Sequence, residues 1–172
     1  MVRNKMLLSI ICLLAVASAS ANQKDTAATV KNKYKGIEVV RFEIKDGVQL
    51  PPDYLITLTE ELVKQMQETK KFAEVLREGE TPADQTSALK LTGTVTEFKP
   101  GSRAKRYLIG FGAGKTKIVA HIKFVDRATG EVLFEDDVDG KVIMGGMGGD
   151  SIGATRGLAK EVAKVASKQF FK

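Results

Sequence analysis

The sequence predicts an α+β domain: a mixed, mostly antiparallel sheet of about five strands with two amphipathic helices packed on one face. Two stretches, Asp53–Lys71 and Ser151–Phe170, repeat apolar residues at helical spacing. Between them, Leu89–Val95 and Lys117–Phe124 alternate apolar and polar residues as half-buried strands do. The resulting order, strand, helix, strands, helix, implies both helices lying on one side of a sheet.

The chain opens differently. Arg3 and Lys5 precede an apolar run from Met6 to Val16, which ends in Ala19-Ser20-Ala21. A basic start, a short apolar run and small residues before the cut predict a secretory signal peptide, residues 1–21. The run is short of the about 20 residues that a spanning helix needs. Residues 22–35 are polar, with Ala27, Ala28 and Val30 as the few apolar residues, and read as a flexible lead-in, leaving 36–172 as a single domain.

Ile37–Ile44 is rich in β-branched and aromatic residues and should be the first strand. Asp46-Gly47 turns the chain, and Pro51-Pro52 starts the first helix, with Leu55, Leu58, Leu62 and Met66 along its apolar face. Phe72–Arg77 reads as a short strand, and Glu78–Ser87 as a loop. The two alternating strands follow; then Asp126–Glu131 forms a hairpin loop leading into Val132–Asp139. Glycine-rich Gly145–Gly149 leads into the last helix, whose apolar arc holds Ala154, Leu158, Val162, Val165 and Ala166.

Composition removes several function classes. The only cysteine, Cys12, falls inside the signal peptide, so the exported domain has no disulfide, thiolate nucleophile or cysteine metal site. Lipid attachment at Cys12 is disfavoured, because that processing wants a small residue just before the cysteine and Ile11 stands there. The expected product is exported to the periplasm, soluble rather than lipid-anchored, with no transmembrane segment. Its formal charge, +6 for the whole chain, loses two units with Arg3 and Lys5. So mild a balance is only a weak pointer to anionic partners.

The candidate motifs mostly resolve into plain structure. Gly110-Phe-Gly-Ala-Gly-Lys115-Thr116 resembles a phosphate loop, but the spacing is one residue short and Thr116–Asp126 reads as a strand, where a phosphate loop opens a helix. Asp150 in the glycine-rich run before the last helix would cap that helix itself and repel an anion. His121 is the only histidine and lacks companions for a metal or a triad; counting back from the hairpin sets it opposite Asp136. No cofactor or metal is expected. The basic polar face of the last helix suits packing on a sheet better than lipid insertion, since its apolar arc is alanine and valine.

One surface stands out. Phe98–Val125 holds seven basic residues and no acidic one. Lys117 and Lys123 are expected to be neutralised by the acidic strand Glu131–Asp139, leaving Lys99, Arg103, Lys105 and Arg106 free. Two aromatics, Tyr107 and Phe111, are too few for a base-stacking platform, so nucleic acid is not the expected partner. The candidate partner-binding residues are Arg103, Lys105, Arg106, Tyr107, Ile109, Gly110, Phe111, Gly112 and Gly114.

The block Gly101–Lys115, then Asp126-Arg-Ala-Thr-Gly-Glu-Val132, then Gly149-Asp-Ser-Ile-Gly-Ala-Thr-Arg-Gly157 resembles the bacterial family called domain of unknown function 4410, over about Lys35–Phe170. The resemblance implies an exported bacterial domain, lipid-attached in many relatives, with no established activity and no catalytic residues to carry over. The element order is also similar to periplasmic domains of secretion and assembly lipoproteins, such as the curli secretion channel. The expected function is a non-enzymatic envelope module that binds a protein partner or an anionic envelope polymer. Two alternatives stay open. One is a cell-wall-directed hydrolase, for which Glu97, Asp136 and Asp139 are the only carboxylates to nominate. The other is a structural subunit of an envelope oligomer, hence a homo-oligomer.

Overall fold

The computed structural model describes residues 31–101, 116–141 and 152–172. In chain order the elements are β1 (Gly36–Val39), β2 (Glu43–Ile44), α1 (Pro52–Glu68), β3 (Glu74–Arg77), a single 3₁₀ turn (Gln85–Ser87), β4 (Ala88–Lys99), β5 (Lys117–Asp126), β6 (Val132–Lys141) and α2 (Ile152–Phe170). The strands form one mixed sheet in the order β3-β1-β4-β5-β6, with β2 alongside β4. This is the predicted α+β architecture.

The two long ladders, β4 with β5 and β5 with β6, are antiparallel. The short pairings of β1 with β3, β1 with β4, and β2 with β4 are parallel. Parallel neighbours need a crossover. Here α1 provides it, carrying the chain back so that β3 runs alongside β1. Pro52 at the first helical position fits this start, because its missing N–H would have no helical partner anyway.

Ile37, Leu89, Leu91, Val95, Ile118, Ile122 and Phe124 project from the sheet into one core, against Leu58, Leu62 and Met66 of α1 and Leu158, Val162 and Ala166 of α2. Alanines at 154, 159, 163 and 166 let α2 lie close to the sheet. The tightest point is Gly140 of β6: a Cβ there would stand 2.7 Å from both the Cβ and the amide nitrogen of Leu158 and would strike the Ala154 carbonyl.

Three expectations are corrected in detail. The first strand is split: between β1 and β2 the chain lifts, and the ring of Phe42, 2% exposed, lies over Gly93. A Cβ at Gly93 would come within 2.6 Å of that ring, so the break and the glycine make room for each other. The lead-in is not loose up to Lys35. Tyr34 is 1% exposed, stacks edgewise on Phe170 at 5.9 Å, and lies two residues after the Asn32 amide that donates to the Phe170 carbonyl at 2.7 Å. The β5–β6 register also slips by one. Asp126 N–H donates to the Glu131 carbonyl as the hairpin requires, but a bulge between Phe124 and Val125 then sets His121 opposite Asp137, not Asp136.

Candidate functional site

All nine candidate partner-binding residues, Arg103, Lys105, Arg106, Tyr107, Ile109, Gly110, Phe111, Gly112 and Gly114, lie outside the described residues, as does Gly145–Gly149. Their points of attachment are described. Lys99, Lys117 and Lys141 are successive register partners across β4, β5 and β6. The segments 102–115 and 142–151 therefore leave the sheet at the same end, from neighbouring strands. The amide of Gly101 donates to Thr116 Oγ1 at 3.1 Å, which ties the two sides of the first segment together at its base. Thr116 is itself buried.

The charge at this base differs from expectation. Lys117 is neutralised chiefly by Glu97 of β4 at 2.8 Å, with Asp139 of the acidic strand adding a weaker attraction. Lys99, expected to be free, pairs with the same carboxylate. Hydrogen bonds from Lys117 and then Lys99 hold the Glu97 carboxyl at about 2, far below the usual carboxylate range. Two lysines thus share Glu97, and Asp139 also acts on Lys117. Lys123 does meet the acidic strand, at Glu135, 3.4 Å away.

Of the carboxylates nominated for hydrolysis, Asp136 is set apart from the other two. Glu97 and Asp139 both pair in register with Val119 and share the open face of the sheet, two strand spacings or about 10 Å apart. Asp136 pairs with Ile122, whose side chain enters the core, so it belongs to the opposite face. His121 Nδ1 lies 2.9 Å from Asp137 and its Nε2 3.6 Å from Glu135, an exposed cross-strand cluster. Among the described residues no group of three or more His, Cys, Asp or Glu is placed to hold a metal ion.

The far end of the sheet is built from residues that sequence reasoning passed over. Asp126 Oδ1 accepts the amides of Ala128 and Thr129 at 3.0 and 3.1 Å, while Oδ2 accepts the Tyr34 hydroxyl at 2.7 Å and Lys33 at 3.1 Å. Burial alone would raise its pKa; these four donors outweigh burial and bring it to about 2. Gly130, at φ +76°, completes the turn in a conformation that side chains rarely adopt. Next to it, Arg127 Nε donates to Glu38 Oε2 at 2.7 Å, and the Gly79 amide donates to Glu38 Oε1 at 3.1 Å. Burial pushes the Glu38 carboxyl up, but Arg127 and the amide leave it lowered. Asp-Arg-Ala-Thr-Gly has the form of a side-chain-capped turn, a signal that would have found the first cluster. Nothing local marks its partners Tyr34 and Glu38, about 90 positions away in sequence.

Between the helices, Arg156 donates to Glu61 Oε1 at 3.1 Å, and Glu61 Oε2 is buried with no hydrogen-bond partner among the described residues. No helix among the described residues is long and apolar enough to cross a membrane.

An open mixed sheet covered on one face by two helices, with two glycine-rich connections leaving one end, defines an α+β scaffold module. The family model described as "Domain of unknown function (DUF4410)" matches residues 18–146, and the chain belongs to that family. No curated protein matches it in sequence. Among solved structures it is similar to a PelC dodecamer from Paraburkholderia phytofirmans, with a TM-score of 0.56 and 12% identity over 82% of this chain and 91% of that one. A hypothetical protein from Chlamydia trachomatis gives a TM-score of 0.53 and 10% identity over 78% of this chain and 96% of that one. A protein of family DUF330 from Xanthomonas campestris gives 0.50 and 12%, over 78% and 82%. At such identities the likeness is one of fold.

Proposed function

We propose that the protein is an exported, non-enzymatic module of the bacterial envelope that binds another envelope component, a protein or an anionic polymer, through the segment from Arg103 to Gly114. The observation that supports this is the shared carboxylate at the segment's base. Lys99 and Lys117 share Glu97, and with Lys141 in register beside them three formal positive charges stand against two negative ones, Glu97 and Asp139, before Arg103, Lys105 and Arg106 are added. Clustered positive charge attracts anionic groups. Export to the periplasm in soluble form follows from the signal-like residues 1–21 and from Ile11 before Cys12.

The test is crosslinking capture in envelope extracts, comparing the wild type with Arg103→Glu/Arg106→Glu at low and high salt. One discrete partner, weakened by salt and lost in the variant, supports the reading. Identical captures from both proteins overturn it. Mass spectrometry of the exported chain should find Asn22 at its start with no lipid attached.

A second reading is a subunit of an envelope oligomer. It is favoured by the PelC structures of this fold, which are dodecamers.

A further inference from the structure

The solvent side of α2 carries basic residues at every fourth position: Arg156, Lys160, Lys164 and Lys168 are all exposed. Spacing of four puts them in one row. Glu161 is the only acidic residue of the helix. Arg156 is spoken for by the buried Glu61, and Lys164 reaches the half-exposed Glu161 at 3.2 Å. Lys160 and Lys168 have no ion-pair partner among the described residues. Like charges four apart weaken a helix, and the pairs at Arg156 and Lys164 offset that repulsion only in part.

The complementary surface is on the same molecule. β6 ends the sheet, with no described strand beyond it. It carries Glu135, Asp136, Asp137 and Asp139 in sequence. Glu135 and Asp137 remain 51% and 70% exposed despite facing Lys123 and His121, and Asp136, on the other face, is exposed with no ion-pair partner among the described residues. Pairing β6 edge to edge with another β6 would set acid against acid, so this edge rejects its own kind. A basic row suits it. From Lys160 to Lys168 the helix advances about 12 Å, and from Glu135 to Asp139 the strand advances about 13 Å. Charges along the two elements therefore stay in step over the whole contact.

We infer that the basic row of α2 in one copy docks on the acidic edge strand β6 of a second copy. The two surfaces differ, so the contact is head to tail, and each added copy leaves one of each surface open. A flat anionic membrane fits less well, because the neighbouring outer face of α1 would bring exposed Glu60 and Glu68 against it. This inference deepens the oligomer reading and rests on it.

The test is sedimentation velocity of the full chain recovered from expressing cells, with circular dichroism to confirm folding. Four samples are needed: wild type, Lys160→Glu/Lys168→Glu, Asp136→Lys/Asp137→Lys, and an equimolar mixture of the two variants. The wild type should assemble, and the assembly should fall apart at an ionic strength of about 1 M. Each variant alone should associate at least about tenfold more weakly. The mixture should assemble again, since it restores an acid-to-base contact in both directions. A wild type that stays monomeric overturns both this contact and the oligomer reading. Assembly that persists in either variant, or a folded mixture that stays monomeric, overturns the contact alone.

Discussion

The two ends of the central sheet are built on opposite terms. At the hairpin end, every charged group of the Asp126-Arg127 pair is committed. Asp126 accepts four hydrogen bonds, and Arg127 bridges Glu38, which also takes the Gly79 amide. At the other end, two lysines divide one carboxylate, and two glycine-rich segments leave from adjacent strands. Both ends carry residues of the blocks that resemble the family. The difference teaches that a residue block can be distinctive for two reasons: the Asp126 block serves the fold, and the segment beyond Lys99 is the one proposed to serve a partner.

The largest effect should come from breaking the committed end. Arg127→Met removes the counter-charge from a Glu38 side chain that is only 6% exposed. Leaving a buried carboxylate unpaired should cost about 3 kcal/mol in urea denaturation. The double variant Glu38→Leu/Arg127→Met should recover much of that loss. A single variant within about 0.5 kcal/mol of wild type would mean the pair is already hydrated, and the contrast between the ends would weaken.

At the glycine-rich end, the costly position lies on the core side. Gly140→Ala forces the backbone of α2 away from β6, and overpacking of this kind should cost about 2 kcal/mol. The midpoint of thermal unfolding reads it. No loss there would show that α2 slides freely on the sheet.

Asp126→Asn should cost less at neutral pH but change the pH profile. The Asp126 carboxyl is held at about 2 in the fold, below about 3.9 for an unfolded aspartate. A lowered pKa stabilises the fold fully above the unfolded value, and that contribution, roughly 2–3 kcal/mol, is lost as pH falls from about 4 toward 2. The variant should therefore show a flatter decline of stability over that window. An unchanged acid limb would remove Asp126 from the account.

Much of the fold was legible because its signals are local. The 3.6-residue spacing of Leu55, Leu58, Leu62 and Met66 and the alternation from Ile118 to Phe124 each depend on one element burying one face. What escaped was decided between elements. The bulge beside Phe124 moves His121 from Asp136 to Asp137 without any residue type announcing it. Tyr34 looked like part of a polar lead-in because its partners, Asp126 and Phe170, lie far along the chain. Parallel pairing of the short strands follows from the path of α1, not from their composition. The candidate site was legible only as composition, a cationic and glycine-rich segment. Its nearest described charges, Lys99 and Lys117, turn out to answer to Glu97.

That carboxylate offers the finest test of the contrast. Glu97→Gln deletes the carboxylate that Lys99 and Lys117 share and leaves both lysines in place. Both ion pairs are on the surface, where such pairs contribute little, so the unfolding midpoint should stay within experimental error of wild type. Binding should move the other way. With one more unit of net positive charge beside Arg103, Lys105 and Arg106, capture of an anionic partner should strengthen, and its loss with added salt should steepen. Arg103→Glu/Arg106→Glu has the opposite sign, so the two variants bracket the wild type if charge at this end governs binding. If Glu97→Gln weakens capture while the fold stays intact, the carboxylate positions the base of the segment, and the two ends of the sheet are alike after all.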